Sequence, residues 1–137
     1  FRLAPGLSGP EGLVVHRGAS AYVVLNLYPY NSGHLLVCPY RHVADYTAMD
    51  EDETMEVALL TQAGISALTA AYRPQGFNVG MNLGNVAGAG IAAHLHQHIV
   101  PRWGGDANFM PVVGRTKVLP EMLEQTRDRL AEHWPRG

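Results

Sequence analysis

The sequence predicts an α+β domain: a mostly antiparallel five-stranded sheet with one long helix and a C-terminal helix. Short β-branched apolar segments punctuated by turn formers supply the strands. One long stretch of helical spacing lies between an acidic start signal and a proline-glycine stop. The two helices occupy separate places in the chain instead of alternating with every strand, which argues against a parallel α/β sheet. The chain has 137 residues, of which 47% are hydrophobic and 16% charged. That is ordinary globular composition with enough surface for one core, so residues 1–137 read as a single domain.

Residues 1–12 hold Pro5, Gly6, Gly9 and Pro10 and read as an irregular arm. Residues 13–16 and 21–27 are β-branched and apolar, and Arg17, Gly18, Ala19 and Ser20 between them give a hairpin signal. A turn-rich loop with Pro29, Asn31, Ser32 and Gly33 leads into a third strand over 34–39, closed by Pro39. Asp50 followed by Glu53 marks a helix start, and Pro74 with Gly76 marks its stop. Val57, Leu60, Gly64, Ala67 and Ala71 recur along that helix at helical spacing, a stripe suited to close approach by a sheet or a second subunit. Residues 76–83 alternate as a fourth strand, 84–90 form a glycine-containing flexible run, and 94–100 form a fifth strand stopped by Pro101. Residues 111–137 are a tail in which Leu123, Leu130 and Trp134 suggest a helix beginning near Pro120.

A formal net charge of -2 gives no field for attracting a nucleic-acid polymer or an acidic membrane. No apolar run approaches the roughly 20 residues needed to span a bilayer, and no basic-then-apolar leader opens the sequence. A single cysteine, Cys38, permits no intrachain disulfide. The expectation is a soluble cytoplasmic protein.

Three of the seven histidines fall in one window, His94-Leu95-His96-Gln97-His98. On a strand that alternation places all three imidazoles on one face. A lone histidine is ordinarily a hydrogen-bonded core or surface residue, but three in alternation are poorly explained that way. Metal binding is a second reading, since imidazole is a common ligand. It is weakened because four residues of strand span about 13 Å, so His94 and His98 meet one ion with difficulty. No carboxylate is nearby, and a fourth ligand would have to be His16, His34 or His42 brought by folding. No metal or other cofactor is therefore assigned. The third reading is covalent catalysis at phosphorus, with one imidazole as nucleophile and a neighbour handling protons.

The preceding loop, residues 85–90, can offer backbone N–H groups to phosphate oxygens, because glycine permits the turns that build an anion nest. Taken alone, such a loop is more often just a turn. Gly88 to Ala93 also mimics a dinucleotide fingerprint, but here it runs into an alternating strand instead of opening a helix. A Walker loop fails because no G-K-[ST] follows.

Residues 94–100 resemble the His-φ-His-φ-His-φ-φ signature of the histidine triad superfamily of nucleotidyl hydrolases and transferases, with polar Gln97 at one nominally apolar place. Leu25-Asn26-Leu27 with Pro29, Gly33 through Pro39, and Arg41-His42 resemble the superfamily's N-terminal half. Asn78 to Asn82 resembles the strand before its phosphate loop, so only the arm and the tail fall outside. Residues 94–110 further resemble the actinobacterial branch that cleaves diadenosine tetraphosphate by phosphorolysis.

The resemblance implies that His96 attacks the α-phosphorus and carries a nucleotidyl group, that His98 contacts the scissile or nonbridging oxygen and assists proton transfer, and that His94 orients the nucleophile's ring and tautomer. It implies a ribose contact at Asn26, base-pocket walls at Leu27 and Val24, and phosphate contacts at Asn82 and the Ala89 and Gly90 backbone. It implies a nucleotide or dinucleoside polyphosphate substrate with inorganic phosphate as acceptor, and a homodimer or higher homo-oligomer. Water as acceptor, or a non-catalytic nucleotide-binding module, are the alternatives. One departure is Gly90, where the superfamily often has Gln or Ser. The lost side-chain contact is worth on the order of 3 kcal/mol of transition-state stabilisation unless backbone N–H groups replace it.

Among the remaining residues, Cys38 reads as a buried structural thiol. His34 and His42, which flank the third strand, read as hydrogen-bonded structural histidines. Trp103, just past the triad, reads as a contact for the leaving nucleotide or an anchor for the tail. The Gly64 and Ala67 stripe is ordinary core packing by composition, while the resemblance suggests that part of this helix meets its copy.

Overall fold

The computed structural model describes residues 13–27, 31–84, 94–105 and 120–135. Within them the order is β1 (Val14–Arg17), β2 (Ala21–Leu25), β3 (Leu35–Pro39), α1 (Glu51–Tyr72), β4 (Gly76–Gly80), β5 (Gln97–Arg102) and α2 (Pro120–Glu132), with a short 3₁₀ turn at Tyr46–Ala48 before α1. The strands form one sheet in the order β1-β2-β3-β5-β4, and every neighbouring pair is antiparallel. This is the α+β architecture expected. The arm at 1–12, most of the glycine-containing run (85–90) and the first part of the tail (111–119) lie outside the described residues.

The β1–β2 hairpin closes through Gly18 N donating to Ala21 O at 2.8 Å, and a side chain from α1 finishes the turn. Glu56 Oε1 accepts from the Ser20 and Ala21 amides. Helix α1 begins in a complete capping box, in which the Asp50 side chain accepts from Glu53 N and the Glu53 side chain accepts from Asp50 N. It ends where Arg73 takes a left-handed conformation, φ 50°, and donates its N–H to Thr69 O, and Pro74 cannot continue the helix.

The stripe of small residues on α1 faces this chain's own sheet. A methyl group added at Gly64 would sit 3.0 Å from Ile99 Cδ1 and 3.3 Å from Leu35 Cδ1, so glycine permits this approach of helix to sheet. Val57, Leu60, Ala67 and Leu68 join the same core, together with Val23, Leu25, Leu35, Val37 and Ile99 from the sheet and Leu123 and Leu130 from α2. Of the two partners the stripe suits, a sheet or a second subunit, the chain's own sheet occupies it.

Two strand boundaries differ from expectation in ways that shape the site. The fifth strand begins at Gln97, three residues later than its sequence pattern predicts, and runs through Pro101 to Arg102. Its partners on β3 are limited to Leu35, Leu36 and Val37, opposite Ile99, His98 and Gln97. Before Gln97 the chain turns to the segment after β3, with Leu95 N donating to Val43 O at 2.7 Å. Pro101 does not stop the strand because it pairs only with Phe77 of β4, beyond the end of β3, where its missing N–H leaves no β3 carbonyl wanting. The fourth strand likewise ends at Gly80, before Asn82.

Candidate active site

Each triad histidine is held differently. His98 lies in β5, opposite Leu36 on one side and Gly80 on the other. Its neighbours Gln97 and Ile99 point to α1, where Gln97 Nε2 donates to Thr61 Oγ1 at 3.0 Å and Ile99 packs beside Gly64. His98 therefore faces away from the helix.

His96 precedes the ladder and is set by a main-chain contact. Its Nδ1 lies 2.8 Å from His94 O. A carbonyl can only accept, so Nδ1 carries a proton, and the neutral form of the ring has its lone pair on Nε2. The His96 and His98 rings meet edge to face with centroids 4.9 Å apart.

His94 is buried, with Nε2 2.7 Å from Pro39 O and Nδ1 3.3 Å from the Val43 N–H that donates to it. One nitrogen donates and the other accepts, so the ring is neutral and fixed. Burial is the foremost cause that lowers its pKa, against the opposing hydrogen bond to Pro39. His42 stacks on it at 5.1 Å with planes 14° apart. The ring of His94 thus clamps the loop after β3, while its carbonyl orients His96. The strand alternation expected of all three imidazoles holds only from Gln97 onward.

Sequence reasoning missed His34 as a member of this cluster. It is buried beside the triad, with Nε2 2.9 Å from His98 Nδ1 and Nδ1 3.4 Å from Asn26 Nδ2. Burial, then the neighbouring His98 and His96 rings, push its pKa down to about 4. The same causes lower His98, burial first and His96 second. Asn26 and His34 face each other just beyond the ends of β2 and β3, with Asn26 N donating to His34 O at 2.9 Å. No local signal in the sequence marks the contact of His34 with His98, 64 residues on.

Of the other expected contacts, Leu27 and Asn82 are exposed just past the ends of β2 and β4, and Trp103 directly follows β5, partly buried. Val24 is buried in the sheet opposite Leu36. Ala89 and Gly90 lie outside the described residues. Cys38 is buried in β3, and its thiol is pushed up to about 12, chiefly by burial, as expected of a structural cysteine. Among the described residues, no three His, Cys, Asp or Glu side chains are grouped to hold a metal ion.

An antiparallel α+β sheet that gathers imidazoles at one end of a central strand, one of them bound through Nδ1 to a main-chain carbonyl, defines a histidine-array protein equipped for nucleophilic and proton chemistry. The chain belongs to the HIT domain family, which matches residues 11–105. It is 52% identical over 136 residues, 99% of this chain and 70% of the relative, to a Mycobacterium tuberculosis protein named AP-4-A phosphorylase. It is 31% identical over 115 residues, 80% of this chain and 63% of the relative, to the bifunctional bis(5'-adenosyl)-triphosphatase/adenylylsulfatase of Arabidopsis thaliana. The crystal structure of a hypothetical histidine triad nucleotide-binding protein from Sulfolobus tokodaii superposes with a TM-score of 0.77 at 30% identity, covering 88% of this chain and 82% of that one.

Proposed function

We propose that this chain is a dinucleoside polyphosphate phosphorylase that converts diadenosine tetraphosphate and inorganic phosphate to ADP and ATP through a nucleotidyl-histidine intermediate. The observation that carries the reading is the His96 tautomer: Nδ1–H bound to His94 O leaves Nε2 as the nucleophilic nitrogen. In the first step His96 Nε2 attacks the α-phosphorus, a P–N bond forms, the P–O bond to the departing ATP breaks, and His98 donates a hydrogen bond to the bridging oxygen. In the second, phosphate attacks the same phosphorus, the P–N bond breaks and ADP leaves. Asn26, Leu27 and Trp103 are assigned to the nucleoside, and Asn82 with the Ala89 and Gly90 backbone to the phosphates. The 52% identity to a protein named AP-4-A phosphorylase supports this substrate over a shorter polyphosphate.

The test supplies diadenosine tetraphosphate with and without inorganic phosphate. ADP plus ATP, formed only with phosphate, is expected. AMP plus ATP without phosphate would make the chain a hydrolase, and nucleotide binding with no adduct on His96 at single-turnover times would make it a binding module.

We also infer a homodimer. No charged residue occurs in α1 from Val57 to Tyr72, yet its outer face is exposed, with Leu59 54% accessible. The edge strand β4 adds exposed Val79. An uncharged face of this kind is what a symmetric interface buries. Light scattering should give twice the chain mass, and a monomer at micromolar concentration would refute the assignment.

A further inference from the structure

Asn26, His34 and His98 form a hydrogen-bonded file that crosses from the β2–β3 hairpin to β5. The main-chain bond from Asn26 to His34 holds the first two opposite each other, and the pairing of Leu36 with His98 seats the third. An amide nitrogen can only donate, so Asn26 Nδ2 requires a lone pair on His34 Nδ1. A neutral imidazole with its lone pair on Nδ1 carries its proton on Nε2, which in turn donates to His98 Nδ1. The proton of neutral His98 then sits on Nε2. That nitrogen is buried and makes no hydrogen bond among the described residues. Buried N–H groups are almost always paired, and the exceptions concentrate where a ligand or catalytic partner is due.

We propose that Asn26 and His34 are positioning residues that fix His98 as a donor through Nε2, so that it meets the substrate with a proton and not with a lone pair. This rests on the phosphoanhydride cleavage proposed above. As the P–O bond breaks, the Nε2–H donates a hydrogen bond to the departing oxygen and stabilises the charge gathering there; the proton stays on His98, because a neutral imidazole that lost it would become an imidazolate, and ATP leaves as an anion. In the second step the same N–H holds an oxygen of the attacking phosphate while the new P–O bond forms and the P–N bond breaks. The file transmits orientation only, because His34 keeps its own proton throughout. The burial of His34 is consistent with this, since a cationic His34 would turn an N–H against the Asn26 amide.

Two measurements test the idea. Long-range ¹⁵N–¹H correlation spectra of the intact protein near neutral pH should show His34 and His98 both protonated on Nε2. A proton on Nδ1 of either ring, or a cationic His34, overturns the proposal whatever the activity proves to be. The second compares His34→Phe with His34→Gln, whose amide can still donate to His98, on aryl esters of AMP from p-nitrophenyl to unsubstituted phenyl. The loss in His34→Phe should grow with leaving-group basicity, reaching on the order of 10²-fold for the phenyl ester, and His34→Gln should recover most of it. An equal loss across the series would mean that His34 only supports the fold. If His34→Phe does not fold, the spectra of the unaltered protein decide. A protein inactive on every nucleotide tested, yet with both rings protonated on Nε2, would refute the enzyme and leave the file intact.

Discussion

His94 O and His96 Nδ1 lie 2.8 Å apart, so the ring proposed as nucleophile is oriented by the backbone of its neighbour, while that neighbour's own side chain is engaged elsewhere. The two histidines therefore differ in what they do for the molecule. Replacing His96 by alanine removes the nucleophile and should lower turnover by at least on the order of 10³-fold. Its stability should stay within about 1 kcal/mol, because the lost bond lies at a half-buried site.

His94→Phe should behave in the opposite sense. It leaves Pro39 O and Val43 N without their buried partners. Two such orphans cost on the order of 3 kcal/mol together. Denaturant unfolding of both variants checks the contrast, and equal midpoints would show that the His94 clamp carries no stability.

Acid should destabilise the protein through its buried imidazoles. His34 is pushed down to about 4, and His94 and His98 are lowered as well. In the unfolded chain these rings protonate near 6.5, whereas the folded state resists protonation until lower pH. Between those values the unfolded state holds more protons, so the contribution is complete above pH 6.5 and is lost as pH falls toward 4. At about 1.4 kcal/mol per pH unit, His34 alone accounts for on the order of 3 kcal/mol. Urea midpoints should fall steadily across this window, and less steeply in His34→Gln. A midpoint that stays level would contradict the assignment of His34 as buried and neutral.

Gly64→Leu tests the seating of α1 on the sheet. The new side chain meets Ile99, Leu35 and, at 3.7 Å from its first carbon, Trp134. Overpacking of this kind costs about 1–3 kcal/mol. Since Ile99 adjoins His98 in β5, turnover should fall with stability. An unaltered melting temperature would mean that the helix can back away from the sheet without cost.

Asp50→Ala tests the local origin of α1. It removes the acceptor for Glu53 N while leaving the site untouched. The expected loss is about 1 kcal/mol, seen as a melting temperature roughly 4 °C lower with turnover unchanged. A large loss of activity would indicate that the N-terminus of α1 is coupled to the histidines, through the ion pair of Glu53 with Arg41.

What the sequence determined by itself is what short-range chemistry controls. Asp50 and Glu53 announce the helix start, Pro74 and Gly76 its stop, and the turn residues after β1 announce a hairpin. The alternation of His94, His96 and His98 announces the chemistry. The tertiary structure alone decided where β5 starts, because before Gln97 the chain leaves β3 and Leu95 N donates to Val43 O instead, a partner some 50 residues away. It also decided that His94 spends its ring on Pro39 and Val43, that the Gly64 stripe meets its own sheet, and that His34 joins His98. Cap, turn and periodicity signals act within a few residues through the backbone, so they are written in adjacent letters. A ring's tautomer depends on donors and acceptors delivered from other strands, and no local pattern encodes which of them arrive.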